Sequence, residues 1–115
     1  MFKRGTIVLI PFPFTDLTAA KVRPALIVSD ASKTNEDFTV VFISSIIRQR
    51  LEPSHLLLRT QDKDFEKSGL KYDSVIQFDK LATLSKSICL GEMGRLDGKM
   101  LEKGDRMLKK YLGLK

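Results

Sequence analysis

Two runs of this sequence, "PALIVSD" (residues 24–30) and "FTVVFISS" (residues 38–45), are apolar at successive positions rather than at every second one. In an extended chain Leu26 and Val28 face one way while Ala25 and Ile27 face the other. Both runs are short, rich in β-branched residues and bounded by polar segments, so they read as strands rather than as turns of helix. A strand that is apolar on both faces needs cover on both sides. In a chain of 115 residues that requirement suits a small closed barrel with something packed outside it.

The remaining segments fit that scheme. "TIVLI" (residues 6–10) reads as a first strand, closed by "PFPFTD", where two prolines forbid a central ladder position. "HLLLRT" (55–60), "SVIQFDKLATL" (74–84) and the shorter "CLGEMGRL" (89–96) supply further strands. "ASKTNED" is polar and reads as a loop or one helical turn, and "QDKDFEKSG" as a brief helix ending at Gly69. Met100, Leu101, Gly104, Met107, Leu108, Tyr111 and Leu112 recur at steps of one, three and four, which predicts a terminal amphipathic helix. Asp97 is its expected N-cap, with Leu96 and Leu101 spaced as a hydrophobic staple. Gly104 lies on the apolar face and costs about 1 kcal/mol relative to alanine, so close approach of another backbone is expected there. The expected architecture is α+β: a single domain over residues 1–115, a small barrel of five to seven short strands, and a C-terminal α-helix.

Composition narrows the function by exclusion. The chain has no run of 18 apolar residues, and "MFKRGTIVLIPF" lacks a small-residue cleavage site, so it is read as the first strand of a cytoplasmic protein. Cys89 and His55 are each the only residue of their kind, which leaves no internal disulfide and no zinc ligand set, and no metal or other cofactor is expected. There is no glycine-rich phosphate loop, and one histidine gives little scope for a Ser-His-Asp triad. His55 itself is read as a strand-start histidine hydrogen-bonded to backbone. Twenty basic against fourteen acidic residues give a charge of +6, a modest footprint for a polyanion such as nucleic acid. What remains is a set of arginines, lysines and hydroxyls beside strand ends, a set suited to phosphate because guanidinium pairs with it bidentately.

The stretch "KVRPALIVSD" places Arg23 one residue before Pro24 at the mouth of the apolar core. One reading is a salt bridge or a solvated loop charge. The other is a cation held extended by the proline that follows it, as the stabilisation of a developing phosphorane needs. Phe12 and Phe14, flanking a proline, read equally as core residues or as platforms on which bases stack.

The ordered pattern "KRGTIVLIPF…VRPALIVSD…TVVFISS…EPSHLLL…YDSVIQFDKLATL…GRLD" resembles the MazF/PemK family of toxin endoribonucleases over nearly the whole chain. The resemblance implies an SH3-like barrel, a homodimer, and cleavage of single-stranded RNA, mRNA foremost, without a metal. It also implies a MazE-like antitoxin as partner and growth inhibition as the outcome. Arg23 falls on the family's catalytic arginine and Ser44 on its catalytic hydroxyl position. The 2′-OH would attack the adjacent phosphate while Arg23 stabilises the charge, a role better matched to its chemistry than proton donation, and Ser44 orients the phosphate. Phe14, Lys21, Ser45, Arg48 and Lys80 are the expected RNA contacts, Ser45 leaving its strand on the face opposite Ser44. The short first loop, and Lys80 and Ala82 where many relatives carry glutamine and arginine, imply a target sequence of its own. The alternative is a non-enzymatic CcdB-like toxin that binds gyrase through the same barrel fold.

Overall fold

The computed structural model describes residues 2–11, 21–30 and 36–115. Within them, β1 (Thr6–Pro11), β2 (Val22–Ile27), β3 (Asp37–Ser44), β4 (His55–Leu58), β5 (Ser74–Ser85) and β6 (Gly91–Arg95) form one antiparallel sheet in the order β4-β5-β3-β2-β1-β6. The helix α1 (Gly98–Tyr111) follows. The α+β expectation is met, with six strands. No helix among the described residues is long and apolar enough to cross a membrane.

The doubly apolar strands have their cover. Ile7 of β1, Leu26 of β2, Val41 and Ile43 of β3 and Ile76 of β5 form one buried cluster, against which Met100, Leu101, Met107 and Leu108 of α1 pack. The alternate residues Val8, Ala25, Ile27, Val40 and Phe42 form a second, covered by Phe2, Ala82, Leu84, Ile88 and Cys89. The 12-residue β5 can serve both because its register against β3 shifts. Val41 pairs with Leu81 but its neighbour Phe42 pairs with Gln77, so Phe78, Asp79 and Lys80 are extra residues on β5. Such an irregularity bends a strand and increases its twist. Here it curls the sheet.

The curl brings the two edges of the sheet together. The chain leaving β4 makes a 3-10 turn (Glu66–Ser68) capped by Gly69 in the left-handed region, as the sequence predicts for that glycine. This turn lies against β6 so closely that a Cβ at Gly69 would sit 2.0 Å from the Met93 carbonyl oxygen, and one at Gly94 2.2 Å from that of Lys67. Two glycines therefore let two main chains touch where side chains would hold them apart.

Two local expectations are corrected. Asp97 occupies the N-cap of α1, but its side chain makes no capping hydrogen bond; the carboxylate instead accepts from Arg95 Nε at 3.0 Å. Leu96 and Leu101 do join one apolar cluster, as a staple requires. Gly104 is buried, yet what approaches it is an aromatic ring rather than another backbone: its Cβ would meet Phe78 Cζ at 2.7 Å. The helix forgoes a methyl group so that Phe78, only 1% exposed, can enter the core.

Helix propensity alone predicts that Gly104→Ala would stabilise by about 1 kcal/mol. Overpacking against the Phe78 ring predicts the reverse, a loss of about 1–3 kcal/mol. The expected result in urea unfolding is destabilisation. In a double-mutant cycle, Phe78→Leu with Gly104→Ala should cost less than the sum of the two single changes, because the shorter side chain vacates the contested space.

Candidate functional site

Arg23 is inside β2, not at its entrance. Its place there is set by how β2 is paired. On one side β2 runs beside β1 to its first residue, with Ile10 opposite Arg23, Leu9 opposite Pro24 and Pro11 opposite Val22. On the other side the ladder with β3 covers only Ala25, Leu26 and Ile27. It stops one residue short of Pro24, which has no N–H to offer a further rung. Continuing the register of Ala25 opposite Phe42 sets Arg23 across from Ser44, on the same side of the sheet.

Between these unzipped ends lies a cavity of about 130 Å3, lined by Arg23, Phe42, Ile43, Ser44 and Gln77. Ser44 Oγ accepts the Ile46 N–H at 3.1 Å, which holds the hydroxyl oxygen at the strand end and leaves its own hydrogen to donate elsewhere. Gln77 reaches the site from β5, where it pairs with Phe42 at the start of the register shift. Half-buried Arg23, with Ser44 and Gln77, thus lines one small space, and guanidinium, hydroxyl and amide are donors suited to the oxygens of a phosphate.

A second cavity, of about 240 Å3, meets the first at Arg23 and is lined on its other side by Ser45, Lys71, Tyr72 and Ser74. Ser44, the last residue of β3, and Ser45, just beyond it, therefore line different cavities. Lys21 is exposed immediately before β2, on the same end of the sheet as Arg23. Arg48, in the connection from β3 to β4, and Lys80, among the extra residues of β5, are also exposed and line neither cavity. Phe14, and Phe12 with it, lies outside the described residues.

His55 opens β4 and pairs across the ladder with Gln77, but it lines neither cavity. Its Nδ1 accepts the Glu52 N–H at 3.3 Å, as a strand-start histidine tied to backbone should. That bond leaves the hydrogen on Nε2, which donates to Asp79 Oδ1 at 3.1 Å. Among the described residues, no group of three or more His, Cys, Asp or Glu side chains is arranged to hold a metal ion.

Gln77 and Tyr72 were not singled out by sequence. A signal for Gln77 exists: in "SVIQF" it places an amide where Val75, two residues earlier, puts an apolar side chain on the same face. Tyr72 carries none, since an exposed aromatic in a turn is not distinctive.

Comparison with solved structures agrees with this architecture. An endoribonuclease in complex with its cognate antitoxin from mycobacterial species is 20% identical, with a TM-score of 0.74 over 98% of this chain and 96% of that one. The Mycobacterium tuberculosis toxin MazF-mt6 is 17% identical, with a TM-score of 0.74 over 96% and 98%. The MazE-MazF complex from Deinococcus radiodurans is 19% identical, with a TM-score of 0.75 over 98% and 96%. At these identities the likeness is one of fold. No curated protein sequence gives a significant match. Residues 3–112, however, match the family profile of the PemK-like, MazF-like toxins of type II toxin-antitoxin systems. The curled sheet and terminal helix have the architecture of these solved structures, and the chain belongs to that toxin family.

Proposed function

We propose that this toxin is an endoribonuclease that cuts single-stranded RNA, mRNA foremost, by attack of a ribose 2′-OH on the adjacent phosphate. The observation that carries the reading is the facing of Arg23 and Ser44 across the unzipped ends of β2 and β3, with Gln77 beside them. The nucleophile belongs to the substrate, so the protein needs to supply neither a nucleophilic side chain nor a metal-bound water. The 2′-oxygen–phosphorus bond forms and the 5′-oxygen–phosphorus bond breaks. The 2′-hydroxyl gives its proton to water and the departing 5′-oxygen takes one from water, leaving a 2′,3′-cyclic phosphate and a 5′-hydroxyl.

In this scheme Arg23 opposes the charge that builds on the phosphorane oxygens, and Ser44 donates its O–H to one of them. Donors fixed before the reaction are worth most where charge develops, and a planar fork held in a strand meets that condition. Lys21, Arg48 and Lys80 supply phosphate contacts along the bound strand. The relatives described as an endoribonuclease with its cognate antitoxin and as MazE-MazF support the same reading, with a MazE-like antitoxin as partner; a homodimer is the working form that the family resemblance implies. No observation favours the gyrase-binding alternative.

Incubation of the purified protein with a long RNA in EDTA should give discrete cuts bearing 2′,3′-cyclic or 3′-phosphate and 5′-hydroxyl ends. Replacing the ribose at a cut site by 2′-deoxyribose should block cleavage there. Continued cutting of that analogue would contradict the scheme, since no internal nucleophile would remain.

Arg23→Ala should lower the cleavage rate by about 10²–10³, the usual loss for one preorganised donor. Arg23→Lys should restore little, because an ammonium does not reproduce the two-pronged contact. Ser44→Ala should be impaired and Ser45→Ala clearly less so. Thermal unfolding of the same samples keeps lost folding apart from lost chemistry, and a folded Arg23→Ala protein that cuts at the parent rate would refute the assignment.

Salt tests the outer contacts. Affinity for a 2′-O-methyl single strand should fall with a log–log slope of about −0.7 per phosphate contact. Alanine at Lys21, Arg48 and Lys80 together should flatten that slope by about 2. An unchanged slope would remove those residues from the bound strand's path.

A further inference from the structure

The larger cavity at Arg23 has a shape and chemistry that phosphate binding does not use. Its volume of about 240 Å3 is below the roughly 300–1,000 Å3 of a drug-sized pocket and suits a single ring system. Pro24, Ile43 and Met93 give it an apolar lining, and Ser45 and Lys71 bring polar groups to it. Tyr72 also lines it, with a side chain that leaves the residue 69% exposed. The backbone beneath that ring is pinned. The Ser74 hydroxyl donates to the Tyr72 carbonyl at 2.8 Å, and the Asp73 carboxylate accepts the Thr60 N–H at 2.7 Å. A largely exposed aromatic side chain thus rises from a fixed backbone in the cavity that Arg23 also lines.

We propose that Tyr72 is the platform on which the nucleobase next to the scissile phosphate stacks, and that this cavity sets base preference at that position. The proposal rests on the ribonuclease reading. Arg23 borders both cavities, so a strand whose phosphate lies against Arg23 and Ser44 has its neighbouring base within reach of the second. Any base has a face to lay on a phenol ring, and the apolar floor receives its body. Ser45 offers a donor and an acceptor to its edge, and Lys71 a donor, which gives discrimination among bases. The positive charge of Arg23 and Lys71 selects a polyanion over an apolar peptide as occupant. Ser45 accordingly acts on the base rather than on the phosphate.

Cut sites are first mapped with the parent protein, and Tyr72→Ala and Tyr72→Phe are then assayed on an RNA carrying one site. Loss of one base-stacking platform corresponds to about a 5- to 150-fold weakening. Tyr72→Ala should raise KM by that order, change kcat much less, and relax the base requirement at one position beside the cut. Tyr72→Phe should behave as the parent, because stacking needs the ring and not the hydroxyl. A 2′-O-methyl oligonucleotide carrying 2-aminopurine reads the stack directly, even in a chain that does not cut. Its fluorescence should be quenched by the parent and by Tyr72→Phe, and much less by Tyr72→Ala at equal saturation. Unaltered KM, base preference and quenching in Tyr72→Ala would overturn the proposal while leaving the ribonuclease reading intact. So would dissociation of a dimer in sedimentation sufficient to account for the change, since the ring would then cover a second copy. A parent that cuts no RNA yet shows the ring-dependent quenching would overturn the ribonuclease reading and keep Tyr72 as a base platform.

Discussion

The ladder between β2 and β3 ends at Ala25, and much of the site follows from that ending. Up to that residue β2 is a central strand with neighbours on both sides and no exposure to water at Ala25, Leu26 or Ile27. Beyond it, β2 keeps only β1. A proline in a central strand ordinarily costs a rung of hydrogen bonds. Here the strand has a partner on its β1 side opposite Pro24, and the opposite side is opened rather than broken. The opening sets Arg23 and Ser44 facing across a gap, each on a strand whose continuation is buried.

That burial makes the gap rigid. Phe42 and Ile43, which line the small cavity, are 4% and 2% exposed, and each belongs to one of the two apolar clusters on either side of the sheet. A displacement of the β3 end would disturb both clusters at once, and close-packed interiors resist this. The register shift in β5 contributes a third wall. It sends Phe78 into the cluster beneath α1 while leaving Gln77 beside Phe42 and the site. The exclusion of a methyl group at Gly104 and the placement of Gln77 are therefore linked through one irregular stretch of β5. Packing of the helix and geometry of the site are not independent.

The parts of this fold legible in the sequence are those encoded by local periodicity. The doubly apolar runs gave β2 and β3, the 3.6-residue stripe gave α1, and the glycine after "DFEKS" gave the end of a short helical turn. Long-range pairing was not legible. "SVIQFDKLATL" reads as one uninterrupted alternation, and the three extra residues in it exist only relative to β3. The same limit hid Asp79 as the partner of His55, since twenty-four positions separate them in the chain. Asp97 failed as a side-chain cap for a local reason instead: Arg95, two residues earlier, captures its carboxylate. Arg23 and Ser44 came from resemblance and alternation, whereas Gln77 and Tyr72 needed the folded neighbourhood to become visible.

The chemistry available at the opened ladder is of a restricted kind. Among the described residues, the five that line the smaller cavity include no carboxylate, imidazole, thiol or ammonium. Arg23 contributes a planar cation, and Ser44 and Gln77 contribute dipoles. On the proposed reading, acceleration by these groups comes from orientation and charge stabilisation rather than from general acid–base transfer, which supplies about 10²–10⁴ in enzymes that use it. The substrate compensates in part because its nucleophile is already attached, in the manner of an intramolecular reaction. What the protein must then impose is the in-line approach of the 2′-oxygen, and a phosphate gripped at one point can still rotate. On that reading a base held on Tyr72 keeps the neighbouring nucleotide in the site and sets the choice of sequence, an effect carried by KM. Alignment of the phosphorus is left to Arg23, Ser44 and Gln77.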